Sequence, residues 1–245
     1  MMLDSSSCHP AFSANYTKLC HNICLNTKML GDIIKKYRIW QDTLMETLYW
    51  IIFAIPSIII ASTVHEFAHA FTADKLGDPT PRSEGRLSLN PLVHIDPIGA
   101  IMLIVAKIGW SKPVPIYEQN FSNPVQGTAL TALAGPASNL ALTLLTALIY
   151  NLFFTNSSPV VQAFIFAFVS INLSLMIFNL LPIPPLDGHK IVRALLPRTL
   201  RYMWEMAEKY SIWIILLLFI PFSPLYQFTS TLISSILNFF LNILF

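Results

Sequence analysis

Charged residues are scarce in this sequence. Lysine and arginine number 15, aspartate and glutamate number 13, and together they make up 11% of 245 residues, against about 25% in ordinary soluble domains. Hydrophobic residues make up 54%. Apolar runs near or above the roughly 20 residues that span hydrocarbon occupy most of the chain after residue 46. The composition excludes an ordinary soluble protein and predicts an all-α polytopic membrane protein.

A large net charge and a cysteine framework are also lacking. The formal charge of +2 provides no basic surface for nucleic acid, and the basic residues fall in loops between apolar runs, so the expected partner is the lipid bilayer. The three cysteines, Cys8, Cys20 and Cys24, all lie within residues 1–46. Their spacing matches no regular zinc pattern, so a simple polar leader is expected. A small metal site is the alternative.

The apolar runs predict the membrane organisation. The runs cover residues 47–73, 127–154, 159–181, 210–222 and 225–245. The run at 210–222 is short, so the expected number of spans is four or five. Residues 97–109 contain only about 12 apolar positions, too few for a spanning helix, and predict a re-entrant or interfacial element. We therefore divide the chain into a polar leader (1–46), a three-helix core (47–195) and a C-terminal transmembrane region (196–245).

A metal-binding pattern lies near the end of the first apolar run. His65, Glu66 and His69 form H-E-x-x-H, written here as HEFAH. On a helix the two histidines project from one face and hold one zinc ion, and Glu66 lies beside them, placed to take a proton from water. Such residues are costly inside an apolar run and are by default functional or mutually paired.

A third ligand is expected, because a catalytic zinc commonly has three protein ligands and one open position. Asp187 is the candidate, in the segment FNLLPIPPLDG at 178–188. Pro182, Pro184 and Pro185 forbid a helix there and predict extended backbone before Asp187. The alternative for Asp187 is a cap on the following helix.

Topology gives an independent reason to pair Asp187 with the histidines. If residues 97–109 do not cross, the next two helices carry the chain across and back, and Asp187 emerges where His69 lies. The loops on that face are rich in lysine and arginine, whereas residues 155–158 have none, which predicts that the face is cytoplasmic. The basic residues Lys35, Lys36 and Arg38 precede the first span and oppose this orientation.

Three motifs in this order resemble those of the site-2 protease family. They are HEFAH, AGPASN at 134–139 and NLLPIPPLDG at 179–188. The resemblance covers about residues 47–195 and is to compact bacterial members without a PDZ domain. It implies an intramembrane zinc metalloendopeptidase that cuts transmembrane helices of other proteins, in a bacterial inner membrane. It also implies one Zn²⁺ per chain bound by His65, His69 and Asp187, with Glu66 as general base.

Asn139 is a further candidate. The resemblance favours a catalytic role in which its amide donates to the substrate carbonyl or its oxyanion, and helix packing is the alternative. For His94 and Asp96 a turn before Pro97, stabilised by the Asp side chain, is favoured, and another ligand pair or a gate is the alternative. For the whole chain, the competing functions are an inactive protease-like protein that binds membrane helices, and a transporter. Substrate and oligomeric state do not follow from the sequence.

Overall fold

The computed structural model describes residues 47, 48, 50–106, 109–220 and 222–245. The chain divides into two units, Met1–Ile51 and Ile52–Phe245, and nearly all described residues belong to the second. The predicted leader, with Cys8, Cys20 and Cys24, lies outside the described residues.

The described part is helical, with a single isolated bridge and no strand. Its nine α-helices are α1 Ile55–Lys75, α2 Thr80–Ser83, α3 Pro97–Ala106, α4 Pro124–Ile149, α5 Pro159–Asn179, α6 Asp187–Leu195, α7 Arg198–Met206, α8 Ser211–Phe219 and α9 Pro224–Leu244. Short π-helices, Trp50–Ala54 and Tyr150–Phe154, continue the first span at its start and the second at its end.

Proline marks the start of three of the long helices. The rings of Pro124, Pro159 and Pro224 occupy the first helical turns, where the missing N–H has no helical partner in any case. Asn123 caps α4 by accepting from Gln126 N, and Ser223 caps α9 by accepting from Tyr226 N. These local signals fix where the apolar helices begin.

Four helices in the described residues are long and apolar enough to cross a membrane: Ile51–Lys75, Pro124–Phe154, Pro159–Asn179 and Pro224–Leu244. This confirms the prediction of an all-α polytopic membrane protein. Of the two expected numbers of spans, four agrees with the described part, because α8 has only nine residues.

The chain enters and leaves α3 on the same side. Residues at its two ends meet in an antiparallel bridge between Ile95 and Ser111, where Lys112 N donates to His94 O at 2.8 Å. With ten residues, α3 is about 15 Å long. It therefore returns to the face it came from, as predicted for a re-entrant or interfacial element.

Two buried charged side chains hold the connection between α1 and α4. Arg86, only 3% exposed, donates to the carbonyls of Val93, Lys112 and Pro113. Asp78 accepts from Tyr117 N at 2.8 Å and from the amide of Asn120 at 2.7 Å. Burial raises the pKa of Asp78, but its hydrogen bonds outweigh that effect and place the pKa below its ordinary value. The segment that contains Ser111 is thereby fixed beside α1.

The core forms around α4, which packs against α1, α5 and α6. The buried residues Val169, Leu173, Met176 and Ile177 of α5 are covered by apolar side chains of α9 and by Leu140 of α4. The helix α9 therefore packs against α5 without adding a residue to the cluster of His and Asp side chains described below.

One local expectation was wrong. The prolines before Asp187 do not produce an extended segment: Ile183 N bonds Leu181 O at 2.8 Å and Leu186 N bonds Ile183 O at 2.9 Å. Proline excludes the helix as expected, but its fixed φ is equally suited to tight turns, and successive turns form here.

Candidate metal centre

The first half of the centre lies on α1, where the four-residue spacing places His65 and His69 on one face. Their Nε2 atoms are 3.0 Å apart and the rings meet edge to face. His65, Glu66 and His69 are between 5% and 8% exposed. The three polar side chains are thus enclosed by protein within an apolar span, where each requires a specific partner.

The second half comes from α6. Because α4 and α5 cross and return, Asp187 at the first position of α6 reaches the end of α1 that carries the histidines. Its Oδ2 lies 3.2 Å from Nε2 of His65 and 3.2 Å from Nε2 of His69. The structure therefore brings the three predicted ligands together, and one ligand atom from each lies within 4.8 Å of the others.

Hydrogen bonds fix which nitrogen of each imidazole carries its proton. His69 Nδ1 lies 2.7 Å from the backbone oxygen of Thr131, which only accepts. His65 Nδ1 lies 2.6 Å from Oδ1 of Asn139, and that oxygen also only accepts. Both Nδ1 atoms must therefore be protonated, and in the neutral form of each ring an Nε2 lone pair is directed at the same point.

Asn139 is fully buried, and its amide orientation is set by its neighbours. Its nitrogen donates to Ala61 O at 3.1 Å and to Oδ1 of Asn172 at 3.0 Å, which uses both N–H groups and directs the oxygen at His65. Asn172 in turn donates to Phe168 O. The predicted role of Asn139 as an oxyanion donor stays a prediction. These contacts favour holding the His65 ring.

The arrangement of donors fits a zinc ion. Two Nε2 lone pairs and a carboxylate oxygen converge within 3.0–3.2 Å, and Asp187 Oδ2 is buried with no hydrogen-bond donor in the described part of the chain. With both rings neutral, the three acceptors repel one another, and a cation among them removes that repulsion. Nitrogen and oxygen donors of this kind, with both histidines held through Nδ1, are typical of catalytic zinc sites.

Glu66 projects beside the two histidines and contacts the loop that follows α3. Ser111 Oγ donates to Glu66 Oε1 at 2.5 Å, and Ser111 is itself held by the bridge to Ile95. One carboxylate oxygen of Glu66 is thus fixed by a hydroxyl. The other oxygen, Oε2 of Glu66, takes no part in the hydrogen bond with Ser111.

Gly135 allows α4 to approach the histidines. A Cβ at this position would lie 2.5 Å from Cε1 and Nε2 of His69 and 2.6 Å from Cε1 of His65. No side chain other than hydrogen fits there without displacing a ring. The glycine of the AGPASN motif is therefore explained by steric contact with the centre.

We expect Gly135→Ala to weaken zinc binding by about 10- to 100-fold, the range typical when the support of a metal ligand is lost. Zinc per chain, measured against a chelator series, is the readout. The control is Ala137→Ser, which also adds one heavy atom but at an exposed position of the same helix turn. Equal zinc affinity in the two variants would contradict this account.

Sequence reasoning missed three contributors: Ser111, Asn172 and the carbonyl of Thr131. Asn172 carried a partial signal, since an amide inside an apolar run requires a partner. A backbone carbonyl carries no signal of its own, and Ser111 is recognisable only once α3 is known to be re-entrant.

His94 and Asp96 do not join the centre. Asp96 Oδ1 accepts from Gly99 N at 2.8 Å and stabilises the turn before Pro97, the simpler of the two predictions. His94 is buried, with Nε2 at 2.7 Å from Ser88 O. Neither belongs to the cluster formed by His65, His69 and Asp187.

Known proteins that resemble this chain are named as zinc metalloproteases. Residues 155–222 match the profile of peptidase family M50. "Putative zinc metalloprotease YwhC" of Bacillus subtilis (strain 168) is 37% identical over 175 residues, 69% of this chain and 80% of that protein. "Putative zinc metalloprotease Rip2" of Mycobacterium tuberculosis is 32% identical over 174 residues, 69% of this chain and 67% of that protein. No solved structure matches the chain.

Proposed function

Because this chain belongs to peptidase family M50, the site-2 proteases, and is a zinc metalloprotease of the membrane, we propose that it hydrolyses peptide bonds in or near transmembrane helices of other proteins. The observation that supports this most is the convergence of His65, His69 and Asp187 beside Glu66, enclosed at the end of a membrane span. A site built there can receive a substrate from the bilayer.

Each residue of the site has a separate role in the reaction. His65, His69 and Asp187 would hold the zinc ion, which would supply Lewis-acid chemistry for the scissile carbonyl and the attacking water. Glu66 takes a proton from the attacking water and returns it to the leaving amine, so that one water and one amide become a carboxylic acid and an amine. Ser111 orients Glu66, and Asn139 with Asn172 orients His65.

Substrate choice follows from the position of this site. In a transmembrane helix every carbonyl is hydrogen-bonded within the helix, so local unwinding must precede cleavage. We expect Gly or Pro in the third of a model substrate helix nearest the active-site face to raise the cleavage rate about tenfold or more. Leu or Ala there should lower it.

The measurement is cleavage of single-pass substrates in detergent and in proteoliposomes. The matched control places the same Gly or Pro in the opposite third of the helix, where unwinding does not expose the bond near the zinc. Rates that ignore the position of the helix breaker, or faster cleavage of a soluble unstructured peptide, would contradict an intramembrane substrate.

We further propose that the active-site face is cytoplasmic in a bacterial cell membrane. Lys75, Arg82, Arg198 and Arg201 belong to loops or helix ends on that face, while the hairpin at 155–158 has no basic residue. Cysteines introduced at Ser83 and Arg198, after replacement of the native cysteines, should react with an impermeant reagent from the cytoplasm, and one at Ser157 from outside. Labelling of Ser83 and Arg198 from opposite sides would contradict the topology.

A further inference from the structure

The last helix, α9, has two contrasting faces. One packs against α5 through apolar side chains, which are Ile233, Ile236, Leu237, Phe240, Leu241 and Leu244. Another is a row of polar residues, Gln227, Thr231, Ser234, Asn238 and Asn242, all of them exposed. Steps of three and four residues place the row within an arc of about 80° along the whole helix. We call this row the polar stripe.

The polar stripe lies on a span that the rest of the chain hardly covers. Only 6% of the most apolar 18-residue window of α9 is buried, compared with 33–39% for the other three candidate spans. Asn238 is 14 residues after Pro224, about 21 Å along a helix of about 32 Å. It therefore lies within the depth of the hydrocarbon, where lipid offers no hydrogen bond.

The stripe has unmet hydrogen-bonding capacity. Ser234 donates back to Thr231 O at 3.0 Å within its own helix, as hydroxyls in membrane helices commonly do. The amides of Gln227, Asn238 and Asn242 make no hydrogen bond to any residue that the structure describes. A carboxamide in lipid without a hydrogen-bond partner is strongly unfavourable, so the exposed row requires another polar surface.

We propose that the polar stripe is the contact surface of a homodimer, in which α9 pairs with α9 of a second copy. Two copies inserted in the same orientation are related by a two-fold axis along the membrane normal, so the helices run parallel and like residues face each other. A carboxamide is both donor and acceptor, and Asn238 therefore satisfies Asn238 of the second copy. Thr231 and Ser234 are small enough to allow close approach.

A substrate helix is a poorer occupant of this surface. Such a helix is mostly apolar and offers no row of amides in register, whereas the second copy supplies the same row by symmetry. The helix that carries the stripe packs against α5 and contributes no residue to the metal centre.

Cysteine cross-linking tests the geometry. In a background with Cys8, Cys20 and Cys24 replaced by serine, single substitutions Ser234→Cys and Asn238→Cys are oxidised with copper phenanthroline in proteoliposomes. The controls are Phe239→Cys and Ile243→Cys, at side chains 62% and 65% exposed on the neighbouring apolar face. We expect disulfide-linked dimers at the two stripe positions at least about tenfold faster than at the controls.

A second measurement distinguishes loss of the dimer contact from loss of folding stability. Asn238→Leu with Asn242→Leu should weaken dimerisation about tenfold or more, as expected for the loss of two interhelical amide pairs, while Phe239→Leu with Ile243→Leu should not. Association is measured by energy transfer between labelled copies as vesicles are diluted with lipid, and zinc content reports on folding. Equal cross-linking at all four positions, or monomers at every lipid ratio, would overturn the homodimer.

Discussion

Glu66→Gln should lower the rate of peptide hydrolysis by about 10³-fold or more while zinc remains bound. Glutamine has the shape of glutamate but cannot take a proton, and general base catalysis contributes roughly 10²–10⁴ to such rates. The zinc ligands proposed here, His65, His69 and Asp187, are unchanged, so zinc per chain should stay near one. The measurement is initial cleavage rate of a single-pass substrate together with metal analysis of the same sample.

Ser111→Ala provides a graded comparison for that variant. It keeps the base but removes the hydroxyl that donates to Glu66 Oε1, so the rate should fall by about tenfold, with substrate affinity nearly unchanged. Ser111→Thr retains a hydroxyl and should restore most of the rate. If Glu66→Gln cleaved within tenfold of wild type, Glu66 would not be the general base.

The architecture was predictable where the sequence itself constrains the chain. The length of each apolar run decides whether it can cross hydrocarbon, and the shortness of residues 97–109 already predicted that α3 returns to its own side. If α3 does not cross, the chain crosses the membrane twice, in α4 and α5, between the histidines and Asp187. Asp187 therefore returns to the face of the histidines. The metal centre could therefore be predicted from the sequence, because membrane topology limits the face on which each loop lies.

Other features depend on contacts between distant segments. The prolines before Asp187 exclude a helix but are compatible with extended backbone and with turns, and the prediction of extended backbone was wrong. Likewise the proton positions on His65 and His69 follow from Asn139 and the carbonyl of Thr131, and no local pattern specifies that these groups meet. The contact of Ser111 with Glu66 likewise requires the bridge between Ile95 and Ser111.

Asp187 offers the sharpest test of the proposed centre, because two explanations of this residue make different predictions. As a zinc ligand it supplies the negative charge that two neutral imidazoles lack. As a helix cap it would only stabilise the start of α6, where a serine serves as well. In the structure Asp187 is the first residue of α6 itself, and its Oδ2 faces the histidines, without a donor in the described part of the chain.

We therefore expect Asp187→Ala and Asp187→Ser alike to lose at least about a hundredfold in zinc affinity, beyond the 10- to 100-fold typical for residues that only support a ligand. Peptide hydrolysis should fall in parallel, since two histidines leave the ion under-coordinated. The control is Glu118→Gln, which loosens the ion pair between Glu118 and Arg193 of α6 without touching a ligand, and should keep its zinc. Full zinc occupancy in both Asp187 variants would assign the third ligand elsewhere, whereas zinc loss in Asp187→Ala alone would identify the residue as a helix cap.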